Sequence, residues 1–467
     1  MQPTRGSLMQ DLDMFTPGPT HVPLGIRMAS IAQLTHHRTA DFKKLFERIH
    51  GGLQNLFRTS GQVLMLPASG TGAMESVVAN IVAPGDTVLV LAAGKYGRRW
   101  AELCGTYRAD VRLHEVPDGQ TFELGAVELE LARLRPRHLL LTHCETSTGT
   151  VHDVQRLAAL GRRYGATVVV DTMTSIGVEP FHMDDWGVDF ALTASHKGLM
   201  SPPGAAFVAI GELGWDAVRP SQGYSYWNFH LLREAAREST VPNTPPNATL
   251  FAVAAGLDRI EAEGLEQVWE RHARNAAVCR AGLEALGLPL FPQARPSHSL
   301  TAAVLPADGR ADGLVEALHE RFGIRIVGGQ GSLKGKIIRI GHIGSVSPLD
   351  LLPVLTALEI LLLERGFGHE PGRAPWRPSC RASRDRGPPD VRRTPPSPPP
   401  CFRAPSAGPA PPHPACLPAC LPACLPGRVL PPPAYPQSSA RTGAPMRARA
   451  VVRPVANPSR HHPDPAG

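Results

Sequence analysis

Three short segments carry residue types that could do chemistry. The run Ser69-Gly70-Thr71-Gly72-Ala73-Met74-Glu75 follows the apolar stretch Val63–Leu66 and opens a helical pattern. Small residues at a strand-to-helix turn let backbone N–H groups approach an anion, the helix dipole favours negative charge there, and Ser69 and Thr71 add hydroxyl donors. The run is neither a dinucleotide-binding Gly-x-Gly-x-x-Gly turn, since position 75 is Glu, nor a P-loop, since no Lys follows its last Gly. Taken alone it reads equally well as a tight turn with a hydroxyl cap. The second segment, Val168-Val169-Val170-Asp171-Thr172, ends an apolar strand on an acid. A carboxylate buried there needs a cation or a hydrogen-bonded partner, unless it simply caps the next helix. The third, Ser195-His196-Lys197-Gly198, sets a lysine at the end of the strand Phe190–Ala194. Desolvation there can strip its proton and make it a nucleophile able to form a Schiff base; the plain alternative is a solvated loop lysine.

The elements that would position these segments follow from periodicity. Strands are expected at Thr87–Ala92, His138–His143, Thr167–Asp171, Phe190–Ala194 and Ala205–Ile210, all apolar on both faces, as a parallel sheet covered by helices requires. Helical spacing falls at Ala73–Val82, Gly97–Tyr107 and Val154–Tyr164. The alternation predicts an α/β fold with helices on both faces of an open, mostly parallel sheet, whose sites lie at the carboxyl ends of the strands. Residues 212–250 read as irregular. Helices follow at Leu250–Glu263 and Leu265–Leu286, and then a smaller α+β unit: strands Leu300–Leu305, Ile324–Val327 and Ile337–Ile340, helices Ala311–Phe322 and Leu349–Glu364. The predicted division is a large domain over 15–263 with an N-terminal segment 1–14, a small domain over 264–368, and a tail over 369–467.

Composition separates the tail from the rest. The chain has 467 residues and a net charge of +7. The tail holds fourteen Arg against four acidic residues, a net of +10, with 27 of the 48 Pro and five of the eight Cys. The remaining 368 residues are mildly acidic, at −3, and give no reason to expect a nucleic-acid partner. Pro395-Pro396-Ser397-Pro398-Pro399-Pro400 and a threefold Ala-Cys-Leu-Pro repeat over 415–426 mark the tail as low-complexity and disordered. The preferred reading is a dispensable extension; the alternative is an arm that binds an adaptor or an anionic surface. Cys104, Cys144 and Cys279 are scattered and read as buried thiols, not as a metal site. No run approaches the ~20 apolar residues of a membrane span, and Met1–Met14 lacks a secretory layout, so the expectation is a cytoplasmic protein.

An anion cup, a strand-end acid and a strand-end lysine, in that order on one α/β sheet, match what pyridoxal phosphate demands: a seat for the phosphate, an acid for the pyridine nitrogen and an amine for the aldehyde. At this point the sequence resembles the class V, fold-type I pyridoxal-phosphate aminotransferases, in the alanine/serine–glyoxylate (serine–pyruvate) branch. The resemblance runs from Phe15-Thr16-Pro17-Gly18-Pro19-Thr20 to about Phe367. It includes Gly94-Lys95-Tyr96-Gly97-Arg98, His143-Cys144-Glu145-Thr146-Ser147-Thr148-Gly149, Asp171-Thr172-Met173-Thr174-Ser175, Asn243-Thr244-Pro245-Pro246, Gly328-Gly329 and Ile338-Arg339-Ile340-Gly341.

The resemblance implies a ping-pong transamination between a small amino acid, alanine or serine, and a small 2-oxo acid, glyoxylate or pyruvate. It implies that Lys197 is the catalytic lysine. Ser69, Gly70 and Thr71 would bind the phosphate, Tyr96 stack on the ring, Thr146 contact the ring hydroxyl, Asp171 the ring nitrogen, and Met173 the far face. His196, where animal relatives have Gln, would lie near the phosphate. Thr244 would reach the phosphate of the neighbouring subunit of a homodimer, and a Tyr often found three residues earlier is Val241 here. Arg339 would anchor the substrate carboxylate as a bidentate fork, and Gly18 would line the same pocket. His36, His37 and His342 read as pocket walls or core histidines, and no metal is expected. Other class V aminotransferases acting on ureidoglycine, pyridoxamine or aminoethylphosphonate fit the same motifs. A cysteine desulfurase fits poorly, because residues 287–368 contain no Cys. A nucleotide-dependent oxidoreductase lacks its glycine fingerprint, and a non-catalytic interaction protein is the reading from outside enzymology.

Overall fold

The computed structural model describes residues 13–32, 36–220 and 226–367, which fall in one compact unit. The predicted tail and most of the N-terminal segment 1–14 lie outside the described residues. The strands of the central sheet are β1 (Gln62–Leu66), β2 (Thr87–Ala92), β3 (Asp110–Glu115), β4 (His138–Thr142), β5 (Thr167–Asp171), β6 (Phe190–Ala194) and β7 (Ala206–Ile210), in the order β1-β7-β6-β5-β4-β2-β3. Successive residues of these strands point to opposite faces. Val63 and Met65, Leu89 and Leu91, Leu139 and Leu141, and Val168 and Val170 enter one apolar cluster, whereas Leu64, Leu66, Val88, Val90, Leu140 and Val169 enter the other. That double-sided burial is why these strands carry unbroken apolar runs.

The first face is covered by α1 (Leu24–Ser30), α2 (Ala40–Phe57), α5 (Leu124–Leu134), α6 (Val154–Arg163) and α8 (Asn247–Glu263); the second by α3 (Gly70–Ile81), α4 (Lys95–Thr106) and α7 (Phe229–Arg237). Within α2, Phe42, Phe46, Ile49, Leu53, Leu56 and Phe57 form one buried stripe at three-to-four spacing. A third cluster joins α9 (Leu265–Ala285), α10 (Leu314–Phe322) and α11 (Leu351–Glu364) to the small sheet β8 (Leu300–Val304), β9 (Val327–Gly328) and β10 (Ile337–Gly341), ordered β8-β10-β9.

Several features depart from the sequence expectation; among them, the strand expected over Ile324–Val327 is two short pieces, Ile324–Arg325 paired with Asp13–Met14 and Val327–Gly328 in the small sheet. β7 runs antiparallel to both neighbours, although it was grouped with the parallel strands. Only eleven residues, with no helix, separate it from β6, and a parallel return needs a crossover of about a dozen or more, usually helical. β3 is an edge strand whose Arg112 and Glu115 are exposed, so its polar face hid the strand signal. The stretch 212–250 read as irregular contains α7, which begins with Asn228 accepting from the His230 and Leu231 N–H groups, and the start of α8.

The carboxyl ends of β1, β4, β5 and β6 open on one edge of the sheet. The N-terminal segment crosses that edge from the small sheet. Asp13–Met14 pairs with Ile324–Arg325, and the Gly341 N–H donates to the Phe15 carbonyl at 2.7 Å. The Thr20 N–H then donates to the His196 carbonyl at 3.2 Å, and the Thr20 hydroxyl to the Lys197 carbonyl at 3.2 Å. A Cβ at Gly341 would lie 2.3 Å from the Thr16 carbonyl carbon, so the crossing requires glycine there. Gly341→Ala should lower stability by ~2 kcal/mol through this backbone clash, seen as a fall in the thermal midpoint; an unchanged midpoint would show that the segment yields freely.

Candidate active site

The turn after β1 starts α3 with Ser69 as its cap: the Ser69 side chain accepts from the Gly72 N–H at 3.4 Å and its carbonyl from the Ala73 N–H at 3.1 Å. The Gly70 and Thr71 N–H groups belong to the first turn of the helix, where no carbonyl of α3 can reach them. The Thr71 hydroxyl accepts from Arg99 Nη1 at 3.0 Å, and the Arg99 guanidinium lies 5.0 Å from the centre of the Tyr96 ring. Gly70 packs against the Met173 thioether, which ties this turn to the end of β5.

Asp171 closes β5 and is 4% exposed. Its Oδ1 accepts from the Met173 N–H at 2.8 Å. Burial pushes its pKa up to about 7; the Met173 N–H opposes the rise, Glu145 adds to it, and Lys197 and Arg99 oppose it. Lys197, on the turn after β6, responds in the complementary sense. Burial lowers its pKa to about 8, Asp171 and Cys144 pull it back up, and Arg339 and Arg99 lower it further. Each group therefore acts on the other's charge. The Lys197 ammonium donates to the Pro17 carbonyl at 3.2 Å, and a Cβ at Gly18 would lie 2.2 Å from Nζ, so the absence of a side chain at 18 leaves room for the amine.

The other predicted residues are placed as follows. The Thr146 and Thr174 hydroxyls share a hydrogen bond of 2.8 Å. Arg339 is 3% exposed. Its Nε and Nη2 donate to the Gly328 carbonyl at 3.0 and 2.9 Å, and its Nη1 to the Thr146 carbonyl at 2.9 Å. Of the five guanidinium N–H groups these bonds leave one on each Nη. The His196 Nδ1 is buried without a hydrogen-bond partner, and burial lowers the imidazole pKa to about 4, so the ring is neutral at pH 7. Thr244 is exposed on the loop before α8, and no hydrogen bond joins it to the cluster among the described residues. His342 bonds the Thr301 hydroxyl at 2.9 Å in the interior, a core histidine, while His36 and His37 stack on each other.

The sequence reading gave no role to Arg99 or Glu145. Arg99 lies three residues from Tyr96, hence on the same helical face, which was the available signal. Glu145 is fully buried and sits beneath the start of α4.

The residues fit pyridoxal phosphate. The α3 N-terminus with its open N–H groups, a buried carboxylate whose one backbone donor sits on Oδ1, a partnerless imidazole nitrogen and an amine with a lowered pKa all lie on turns at the carboxyl edge of the sheet.

The charge cost of this arrangement is open to measurement. Between the ordinary carboxylate range and about pH 7, a protonated Asp171 in the folded chain binds a proton that the unfolded chain has released, so stability falls as pH rises through that window. In the cofactor-free protein Asp171→Asn should therefore raise the thermal midpoint at pH 8, with a gain that shrinks toward pH 5. A gain independent of pH would refute the burial penalty.

Comparison with known proteins agrees with this geometry. Residues 27–342 match the family described as aminotransferase class-V. A Synechococcus protein named the small subunit of a soluble hydrogenase is 36% identical over 366 residues, covering 77% of this chain and 95% of its own. An L-aspartate–glyoxylate aminotransferase of Paracoccus denitrificans is 33% identical over 364 residues, covering 76% and 92%. The crystal structure of an alanine–glyoxylate aminotransferase from Nostoc sp. superposes with a TM-score of 0.73 at 30% identity, covering 78% of this chain and 98% of that one. With the family match spanning the whole central sheet and both sides of the cleft, the chain belongs to the class V aminotransferases, fold-type I enzymes of a pyridoxal-phosphate-dependent family that carry out transamination.

Proposed function

We propose that this chain holds pyridoxal 5′-phosphate in the cleft between Asp171 and Lys197 and moves an amino group from a small amino acid, alanine or serine, to a small 2-oxo acid, glyoxylate or pyruvate. The observation that carries this reading is the meeting of Asp171 and Lys197 at the ends of the paired strands β5 and β6, with Met173 packed against Gly70 of the α3 turn; burial raises the carboxyl to about 7 and lowers the amine to about 8. Glyoxylate as acceptor follows the names of the Paracoccus and Nostoc relatives. The hydrogenase name of the Synechococcus relative is not carried over, because the lysine–aspartate pair and the anion seat are machinery for an aldehyde cofactor.

When bound, the cofactor supplies an electron sink for the charge that develops at the substrate α-carbon. Ser69, Gly70 and Thr71 seat its phosphate, with Arg99 the nearby cation and neutral His196 a further donor or acceptor. Tyr96 and Met173 take the two faces of its ring, Thr146 the ring hydroxyl. Asp171 would hold a proton on the ring nitrogen, and a cation there would pull the carboxyl pKa back down. Lys197, with a pKa near the working range, would take the proton from the substrate α-carbon as a base and return it as an acid. Arg339 takes the substrate carboxylate through its two remaining N–H groups, and Gly18 leaves the space beside Lys197. Thr244, exposed on its own chain, is assigned to the phosphate of a second copy in a homodimer.

The division into a cofactor-binding part over 15–263 and a smaller part over 264–368 belongs to the same reading, as does a cytoplasmic location. Among the described residues no helix is long and apolar enough to cross a membrane.

The decisive experiment mixes the purified chain with pyridoxal phosphate and follows visible absorbance on adding alanine, serine or aspartate. Wild type should hold a band that borohydride removes and that an accepted donor converts. Lys197→Ala should abolish turnover while some cofactor stays bound; wild-type rates in that variant would end the assignment. Arg339→Ala should cost roughly a hundredfold in kcat/KM for α-carboxylate donors, the worth of losing charge-assisted hydrogen bonds. An unaltered kcat/KM would remove Arg339 from the role.

A further inference from the structure

We infer that Glu145 is a positioning residue that fixes Tyr96 and Arg339 together, and so links the seat of the cofactor ring to the seat of the substrate carboxylate; the inference rests on the function proposed above. The α4 helix, which carries Tyr96 and Arg99, begins at Gly94 with no side-chain cap of its own. Its first three N–H groups are met from fifty residues along the chain. Glu145 Oε2 accepts from the Tyr96 and Gly97 N–H groups, both at 3.0 Å. Oε1 accepts from Tyr96 at 3.2 Å and from the Ser147 N–H at 3.1 Å, and also from the Ser147 hydroxyl. The Ser147 Oγ in turn accepts from the Lys95 N–H at 3.1 Å. Glu145 is 0% exposed, so the carboxylate is tolerated only because these donors and the positive end of α4 surround it.

The fit is steric as well as polar. A Cβ at Gly94 would lie 2.6 Å from both Glu145 Cγ and Ser147 Oγ, so the helix can start there only without a side chain. The backbone of Glu145 is pinned too. Its carbonyl accepts from Thr148 at 3.1 Å and Gly149 at 2.8 Å, and it pairs with Thr150 in a two-stranded ribbon.

Thr146, the next residue, faces the other way. Its hydroxyl meets Thr174, and its carbonyl accepts Nη1 of Arg339. The tripeptide Glu145-Thr146-Ser147 thus joins the helix bearing Tyr96 to the buried guanidinium. A change in the Glu145 carboxylate is felt at both.

Because both carboxylate oxygens accept N–H donors, the isosteric amide is not a neutral replacement: Glu145→Gln turns an NH2 toward at least one N–H. In the cofactor-free chain, amide exchange at Tyr96 and Gly97 should accelerate by about tenfold or more in this variant, the loss of one such hydrogen bond. With pyridoxal phosphate bound, its visible circular dichroism should weaken at unchanged stoichiometry, and KM for the amino donor should rise more than kcat falls. Ser147→Ala, which leaves Glu145 in place, should shift the same readouts by less and decides the matter should Glu145→Gln not fold. Wild-type exchange at Lys95, Tyr96 and Gly97 in the folded variants would overturn the proposal. So would a lowered thermal midpoint with unchanged dichroism and KM. A wild-type chain that shows no visible band with pyridoxal phosphate would strike the proposed function instead, while the exchange data would still judge Glu145.

Discussion

The structure depends on keeping two opposite, incompletely paired charges under one roof. Asp171 and Lys197 are each displaced toward neutrality by burial, and each partly restores the other's charge. Neither is an ordinary salt bridge: among the described residues no ion pair joins them, and the direct bonds they make are to the Met173 N–H and the Pro17 carbonyl. Such a pair is costly in a folded chain and would relax if the walls could move. Strands buried on both faces supply the rigidity. Asp171 ends β5 and Lys197 follows β6, adjacent strands whose registered pairing fixes the spacing of their ends.

Rigidity of the sheet explains why the remaining parts come from elsewhere. A parallel sheet presents its carboxyl edge as a row of loops, each anchored by one strand. The anion seat follows β1, the Glu145–Ser147 tripeptide follows β4, and the Asp171 and Lys197 turns follow β5 and β6. The antiparallel β7 lets β1 join the sheet beside it, placing the Gly70 turn near Met173 without a further crossover. The small sheet then contributes one residue of the opposite charge sign to the acid, Arg339, held by carbonyl oxygens from both halves.

Legibility in the sequence tracked how local the cause of each feature is. Asp171 stands out because a charged residue directly ends an apolar strand, and Lys197 because it sits on the short turn just after one. Arg339 stands out because Ile338 and Ile340 bracket it in a buried strand. The Gly70 turn announces itself by small residues between a strand and a helix. Glu145 carried no such mark, since its partners are backbone N–H groups fifty residues away, and any acid in a loop looks alike. The direction of β7 was illegible for a related reason: its residues are apolar on both faces whichever way the strand runs, and only the shortness of the connection from β6 decides. The strand β3 was hidden by its exposed polar face. Thr244 could be assigned only through the resemblance, because no hydrogen bond joins it to the cluster among the described residues.

The way Arg339 is held bears on how the proposed substrate seat would be coupled to the proposed ring seat. A buried guanidinium satisfied wholly by carboxylates would be a structural strut. Here its three bonds go to carbonyl oxygens, which neutralise none of its charge, and two N–H groups remain for a ligand. One of those carbonyls belongs to Thr146, whose neighbours cap α4. The cation therefore cannot shift toward a substrate without tugging on the strand-end loop beneath Tyr96. Burial of Arg339 lowers its pKa, and the nearby Tyr96 and Glu145 oppose that fall, so the three already share one electrostatic environment before any ligand arrives. A substrate carboxylate would add the missing anion to this set, and its binding would stiffen the loop that carries the ring contacts.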